Sequence, residues 1–225
     1  AERGLMRAAF DKLISWTGIL LALVLLVAGG LLTWANVFVG DMVHDQLADQ
    51  DITMPSGGAL DSLPESDKKA LEPFAGEQML SGPAARAYAD HFIQVHMNEG
   101  SKTLAENVEK LGVDTSDWNL PLTYSSAGAV NSAISADDSL SDEVKAEATK
   151  MVGDFRTNTL FMGNTLRGLL LYGYAFATIG AIAGIAAIVC YAGFVVLAVL
   201  GILGLLHARK EKSKAAAGGA TPSAP

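Results

Sequence analysis

The sequence predicts an all-α membrane protein in which two transmembrane helices flank an extracytoplasmic helical domain. Three observations predict this fold class: two long apolar segments without charged residues, an acidic polar region between them, and helical spacing of apolar residues in that region. The chain has 225 residues, which leaves room for one soluble domain and its anchors.

The first apolar segment, 13–39, is predicted to be a retained transmembrane helix. It contains no charged residue, and Trp16 and Trp34 lie toward its two ends. About 20 apolar residues cross the hydrocarbon core of a bilayer, and tryptophans are typical of its two interfaces. The residues that follow the apolar core, 34–38, make a poor signal-peptide cleavage site, so we expect the segment to be kept.

The second apolar segment, 168–206, also lacks charged residues. As one helix it would measure roughly 58 Å at about 1.5 Å per residue, against a hydrocarbon core of about 30 Å. Two arrangements fit this length. In one, a single long helix projects outside the bilayer over 169–177 and crosses it over about 178–206. In the other, the segment forms a hairpin of two spans that turns near 191–193.

The basic residues favour one span at each end. They are Arg3, Arg7 and Lys12 before the first segment, and Arg209, Lys210, Lys212 and Lys214 after the second. Lysine and arginine concentrate on the cytoplasmic side of a membrane, so two basic ends require an even number of crossings. We therefore predict a plasma-membrane protein with a cytoplasmic N-terminal segment (1–12), an extracytoplasmic domain (40–167) and a basic, flexible cytoplasmic tail (207–225).

The predicted extracytoplasmic domain is strongly acidic. Residues 40–165 contain 21 aspartates and glutamates against 8 lysines and arginines, a net charge of −13. Such a domain repels phosphate backbones, so we expect no nucleic acid partner.

Apolar spacing predicts three helices in this domain. Tyr88, Phe92 and Val95 recur at helical spacing and predict a helix over 84–98 that ends at Gly100. Ser101 is predicted to cap a second helix that closes at Gly112. Ser141 is predicted to open a third, which runs through Gly153 and Gly163 into the second span because no proline interrupts 122–221. Residues 51–73 are predicted to form an extended excursion.

Small residues predict where the two spans pack. Gly180 and Gly184 form a GxxxG pair on the second span, and Gly18 and Ala22 are spaced alike on the first. This spacing lets helix backbones approach closely in lipid. We expect these four residues to contact the other span or a neighbouring subunit.

Two arginines are candidates for contact with lipid or a partner. Arg156 and Arg167 lie near the predicted outer edge of the membrane. Guanidinium groups pair with lipid phosphates and with carboxylates, so we expect lipid phosphates or acidic residues of a partner as their ligands.

The sequence contains no recognisable catalytic or cofactor motif. It lacks GxSxG, a phosphate loop, a dinucleotide fingerprint and haem-attachment spacing, and its single cysteine, Cys190, lies in an apolar run. His91 and His96 are five residues apart, about 500° of helical rotation, so they point to different faces. The spans contain no aspartate, glutamate, lysine, arginine or histidine, which argues against ion or proton transport. We predict no cofactor and no metal.

Three stretches resemble a known family. They are GPAARAYADHFIQVHM (82–97), GNTLRGLLLYGYAFATIG (163–180) and TWANVFV (33–39). They resemble actinobacterial two-span membrane proteins that are commonly labelled aromatic ring-opening dioxygenases. The resemblance implies a two-span architecture in the plasma membrane of a high-GC Gram-positive bacterium. In such membranes, small anchored proteins of this shape occur as accessory subunits of the cytochrome bcc–aa3 respiratory supercomplex.

The placement of the histidines argues against ring-opening dioxygenase activity, and with no catalytic motif in the sequence we predict that the chain is not an enzyme. Extradiol ring opening needs iron held by histidine and carboxylate ligands. The predicted topology puts His207 on the opposite side of the membrane from the other three histidines, His44, His91 and His96.

We therefore expect a non-catalytic accessory or structural subunit of a larger membrane complex, with the respiratory bcc–aa3 supercomplex as first candidate. Its expected partners are membrane lipids and other integral membrane subunits, including cytochrome complexes. The alternative is a free-standing envelope protein that binds lipid or a small ligand through its extracytoplasmic domain.

Overall fold

The computed structural model describes residues 2–218, and in this range every regular element is a helix. The all-α class is therefore confirmed. The last residues of the predicted tail (219–225) and the side chains of Arg3, Arg7 and Lys214 lie outside the described part. The described part of the tail continues α8 as far as Gly218, and its flexibility stays a prediction. Its alanines and lysines are good helix formers.

The regular elements of the described residues are eight α-helices, one 3₁₀ turn and two π turns. The helices are α1 (Glu2–Ala48), α2 (Gly58–Asp61), α3 (Glu65–Leu71), α4 (Gly82–Tyr88), α5 (Gln94–Glu109), α6 (Tyr124–Ala136), α7 (Asp142–Asp154) and α8 (Met162–Gly218). The 3₁₀ turn is Glu72–Phe74, and the π turns are Ala89–Ile93, between α4 and α5, and Phe155–Phe161, between α7 and α8.

The chain divides into two compact units. The first comprises the chain as far as Gly40 together with the chain from Ile179 onward, and the second is Asp41–Thr178.

In the first unit, α1 and α8 pack as an antiparallel pair. Position 18 of α1 meets Leu197, and position 36 meets Gly184, so rising numbers on one helix meet falling numbers on the other. By length and composition, two helical segments of the chain (Ala9–Ala48 and Asp142–Ser213) could cross a membrane. The most apolar stretch of each is 11% buried, whereas the core helix of a soluble protein is mostly buried.

The second apolar segment forms one helix. α8 continues without a break through 191–193, so the hairpin alternative is not formed. As predicted, α7 begins after Ser141, whose hydroxyl accepts a hydrogen bond from Val144 N at 3.3 Å. Helical structure then continues through Gly153 and Gly163 into α8.

The second unit has its main core between α5, α6 and α7. The buried side chains are Met97, Leu104, Val108, Val113, Leu122, Ala127, Ile134, Ala148, Val152 and Leu160. Val108 and Val152 are fully buried. Burial of this apolar surface is the main force that holds the three helices together.

The predicted helix end at Gly100 is wrong. α5 continues through Gly100 to Glu109, because this glycine serves packing: a β-carbon there would lie 3.0 Å from Cε2 of Phe155. Ser101 is likewise not a cap. It is fully buried, and its hydroxyl accepts a hydrogen bond from Leu122 N at 3.0 Å.

The prediction of an extended excursion over 51–73 is also wrong. This segment contains α2 and α3, and it buries Met54 and Leu71 almost completely. Its apolar residues are too widely spaced to show a helical period. The sequence prediction also missed α6, which begins with a reciprocal capping box between Thr123 and Ser126. That pair of hydroxyl residues was the available signal.

Candidate interaction sites

The predicted GxxxG pair lies on the seam between α1 and α8 in the first unit. A β-carbon on Gly180 would lie 3.2 Å from Cγ1 of Val39, and one on Gly184 would lie 2.8 Å from Oδ1 of Asn36. Both glycines therefore face α1 of the same chain, at distances that leave no room for a larger side chain without movement.

The predicted pair on the first span, Gly18 and Ala22, also lies on the seam between α1 and α8. A β-carbon on Gly18 would be 3.9 Å from the carbonyl oxygen of Leu197, and Ala22 is 2% exposed. The sequence prediction missed the two tightest positions, Gly201 and Gly204, which face Ile19 and Ser15 respectively. These two glycines are three residues apart, whereas the GxxxG pattern requires a spacing of four, so that pattern does not include them.

Arg167 lies on α8 and reaches the π turn that joins α4 to α5. Its Nε donates to the Ala89 carbonyl at 3.1 Å, and its Nη2 donates to Asp90 Oδ1 at 2.8 Å. The same Ala89 carbonyl accepts a backbone hydrogen bond from Gln94, five residues on. Single π turns of this kind are frequent at functional sites. Arg167 thus joins α8 to the π turn between α4 and α5 through the Ala89 carbonyl and the Asp90 carboxylate.

Arg86 approaches the second carboxylate oxygen of Asp90 and was not among the predicted site residues. Its Nη1 donates to the Tyr174 hydroxyl at 3.0 Å, and its guanidinium lies 4.9 Å from the centre of the Tyr174 ring. Its Nε is 3.6 Å from Asp90 Oδ2. The Arg86 side chain is 56% exposed, against 27% for Arg167. We call Arg86, Asp90, Arg167 and Tyr174 the arginine cluster.

Close packing of α4 on α8 positions this cluster. Gly82 lies against α8, where a β-carbon would be 2.5 Å from Cβ of Ala177 and 3.2 Å from Cα of Tyr174. Ser81 caps the start of α4 by accepting a hydrogen bond from Ala84 N at 3.4 Å. The start of α4 is thereby held against the turn of α8 that carries Tyr174.

Arg156 has its partners inside the second unit. Its Nε donates to the Tyr124 carbonyl at 2.9 Å, and its guanidinium lies 4.0 Å from the centre of the Tyr124 ring. It also packs on Gly128, where a β-carbon would be 3.2 Å from Cζ of the arginine. Arg156 therefore fastens α6 to the second π turn. Its predicted contact with lipid or a partner stays a prediction.

An exposed apolar stripe runs along the part of α8 that belongs to the second unit. Its members are Met162, Leu169, Tyr172 and Phe176, which are 60%, 63%, 67% and 47% exposed. Their spacings of seven, three and four residues place them on one face of the helix. We call this surface the outer stripe.

A groove of about 390 Å³ includes three members of the outer stripe, Leu169, Tyr172 and Phe176, in its lining. Its walls come from the end of α1 and from α8, and its residues include Met42, Leu47, Leu166 and Leu170, with Gln46 and Gln50 as polar members. The groove is mostly apolar, so it suits a hydrophobic ligand or side chain.

The histidines have separate local partners. His91 Nδ1 lies 2.7 Å from Asp67 Oδ1, and His96 Nδ1 lies 2.8 Å from the Phe92 carbonyl oxygen. Across the described residues, no group of three or more histidine, cysteine, aspartate or glutamate side chains is placed to hold a metal ion.

The fold and these surfaces define an all-helical protein with two helices suited to crossing a membrane. Comparisons with protein-family models, with curated proteins and with solved structures gave no match. The functional assignment therefore depends on the geometry of the arginine cluster, the outer stripe and the helix seam.

Proposed function

We propose that this chain is a non-catalytic, integral-membrane accessory subunit of a larger membrane complex. The first candidate for that complex is the actinobacterial cytochrome bcc–aa3 respiratory supercomplex. The outer stripe is the observation that carries the proposal, because it is a large apolar surface without a covering element in the described part of the chain.

The position of the stripe along α8 argues for a protein partner. If the transmembrane part begins at about 178, Leu169 lies about 14 Å and Met162 about 24 Å before it, at about 1.5 Å per residue. The headgroup layer extends only about 5–8 Å beyond the hydrocarbon core on each side. With the transmembrane part starting there, acyl chains do not reach these two side chains. Exposed apolar patches of this kind mark interaction surfaces.

The test is capture of the intact complex from native membranes. The tagged full-length chain would be purified in mild detergent, and its partners would be identified by mass spectrometry and by cytochrome absorption spectra. We expect cytochrome subunits to copurify with the wild-type chain. The double substitution Leu169→Gln and Tyr172→Gln should reduce their recovery at least tenfold, because it places polar groups in the stripe.

The control is Leu120→Gln, which makes one similar change at a residue that is 37% exposed and lies in the connection between α5 and α6 rather than on α8. This variant should retain its partners. Recovery of the wild-type chain as a homogeneous species without any partner would contradict the proposal. Equal recovery by the stripe variant would show that another surface holds the complex.

The groove that includes part of the outer stripe favours a second candidate, an envelope protein that binds lipid or a small apolar ligand. Its volume of about 390 Å³ falls within the range of about 300–1,000 Å³ that is usual for ligand sites. A Gly173→Leu substitution would fill the groove, which Gly173 lines. Under this candidate, native mass spectrometry would detect a bound apolar molecule in the wild-type chain and none in the variant.

A further inference from the structure

The arginine cluster carries more positive than negative charge. Two guanidinium groups share the single Asp90 carboxylate, and they do so unequally. Arg167 makes a 2.8 Å hydrogen bond to Oδ1, whereas Arg86 Nε stays 3.6 Å from Oδ2. Asp90 is thus paired mainly with Arg167, and the charge of Arg86 is only partly compensated.

The Arg86 guanidinium is held in place but keeps free donors. The Tyr174 hydroxyl accepts from Nη1, and the Tyr174 ring lies beneath the group. Within the described residues, Nη2 of Arg86 donates no hydrogen bond, and the side chain is 56% exposed. A planar guanidinium with a fixed orientation and free donors suits the paired oxygens of a phosphate group.

The sequence position of Tyr174 gives the expected depth of the cluster. Tyr174 precedes residue 178, the predicted start of the transmembrane part, by four residues, or about 6 Å of helix. The phosphate layer of a bilayer lies within about 5–8 Å of the hydrocarbon core. Arg86, which rests on Tyr174, would therefore lie at the level of lipid phosphates.

We propose that Arg86 binds the phosphodiester of an anionic phospholipid in the outer leaflet, with Tyr174 and Arg167 as positioning residues. The inference rests on the membrane placement in the proposed function but not on the partner complex. The domain that carries Arg86 is acidic, with a net charge of −13 over 40–165. General attraction to an anionic surface is therefore absent, so binding depends on this local site.

The experiment measures phospholipid binding to the purified full-length chain in an uncharged detergent. Phosphatidylglycerol would be titrated and the bound fraction measured by native mass spectrometry for the wild type, Arg86→Gln, Arg86→Lys and Lys102→Gln. Lys102→Gln is the matched control, since it removes one positive charge from an exposed ion pair with Glu99 on α5. Thermal melting of each variant would verify that it is folded.

We expect the Arg86→Gln variant to bind phosphatidylglycerol at least about tenfold more weakly than the wild type, as loss of a charge-assisted hydrogen bond implies. Lys102→Gln should bind like the wild type, and Arg86→Lys should be intermediate. Diacylglycerol, which lacks the phosphate, should bind the wild type and Arg86→Gln equally weakly.

Two results would overturn the inference. One is equal affinity of wild type and Arg86→Gln for phosphatidylglycerol. The other is displacement of the lipid by inorganic phosphate at similar concentration, which would mean that the site takes free phosphate. The lipid measurement uses the isolated chain, so its failure is distinguishable from a failure to capture a partner complex.

Discussion

Gly82 lies where α4 packs on α8, and a β-carbon there would be 2.5 Å from Cβ of Ala177. Neither Ala177 Cβ nor the nearby backbone of Tyr174 can turn aside as a flexible side chain could. We predict that Gly82→Ala destabilises the protein by roughly 1–3 kcal/mol, the usual cost of overpacking. Thermal unfolding of the full-length chain in detergent, followed by circular dichroism, would measure this as a lower midpoint.

Gly153→Ala is the matched control for this prediction. Gly153 lies in α7, and a β-carbon there would meet nothing within 4 Å. Because alanine favours a helix more than glycine does, this variant should be more stable by about 0.5–1 kcal/mol. Opposite shifts of the two midpoints are expected. A midpoint for Gly82→Ala at or above that of the wild type would contradict the packing that positions the arginine cluster.

The stability of the turn between α6 and α7 depends on pH through the Asp137 carboxylate. It accepts hydrogen bonds at Oδ1 from Ser139 Oγ at 2.6 Å and from Ser139 N at 2.9 Å. These two bonds, the side-chain bond foremost, hold the pKa of the Asp137 carboxyl below its ordinary value. The carboxylate therefore stabilises the fold above the unfolded-state pKa of about 3.9, and this contribution is lost as the pH falls through the lower folded-state pKa.

We predict that Ser139→Ala is less stable than the wild type near neutral pH, and that the difference shrinks below about pH 4. Melting midpoints across the acid range would show the convergence. Ser132→Ala is the control, because the Ser132 hydroxyl donates to the Gly128 carbonyl at 3.1 Å, a group that does not titrate. A Ser139→Ala difference that stays constant with pH would argue against the Asp137 contribution.

At the scale of helices, the seam between α1 and α8 can be tested by cross-linking. A β-carbon on residue 184 would lie 3.1 Å from Asn36 Cγ, which brings the two β-carbons near the separation of about 4 Å found in disulfides. In a Cys190→Ser background, Asn36→Cys with Gly184→Cys should form a disulfide within one chain under mild oxidant. Gel mobility before and after reduction would detect it.

The control pair combines Gly184→Cys with Val37→Cys. Val37 is 51% exposed and lies about 100° around the helix from Asn36, so this pair should remain reduced. A disulfide that joined two chains rather than one would mean that the GxxxG face packs on a neighbour. That outcome would contradict the antiparallel pairing of α1 and α8.

At the scale of the whole molecule, the predicted topology puts the acidic domain outside the cell and both termini inside. In a Cys190→Ser background, Asp117→Cys and Lys210→Cys provide two exposed single-cysteine variants, one in the second unit and one near the end of α8. A maleimide that does not cross membranes should label Asp117→Cys in intact cells. It should label Lys210→Cys only after lysis, and the reverse pattern would invert the topology.

Much of the helical architecture could be predicted from the sequence because it depends on local properties. The two long apolar helices follow from runs of uncharged residues, and the start of α7 follows from Ser141 and the acidic residues after it. Elsewhere, tertiary packing overrode what the local sequence predicted. Gly100 has the form of a helix terminator, yet α5 passes through it because the missing side chain makes room for Phe155.

The sequence by itself determined the all-α class, the two helices suited to a membrane and the acidic character of the region between them, since composition and short-range spacing are sufficient for each. Only the tertiary structure decided that Arg167 pairs with Asp90 across 77 residues and that Arg86 rests on Tyr174 across 88. The physical reason is that a local pattern fixes which face of a helix is apolar or charged, whereas a specific pair of side chains meets only after distant helices have packed.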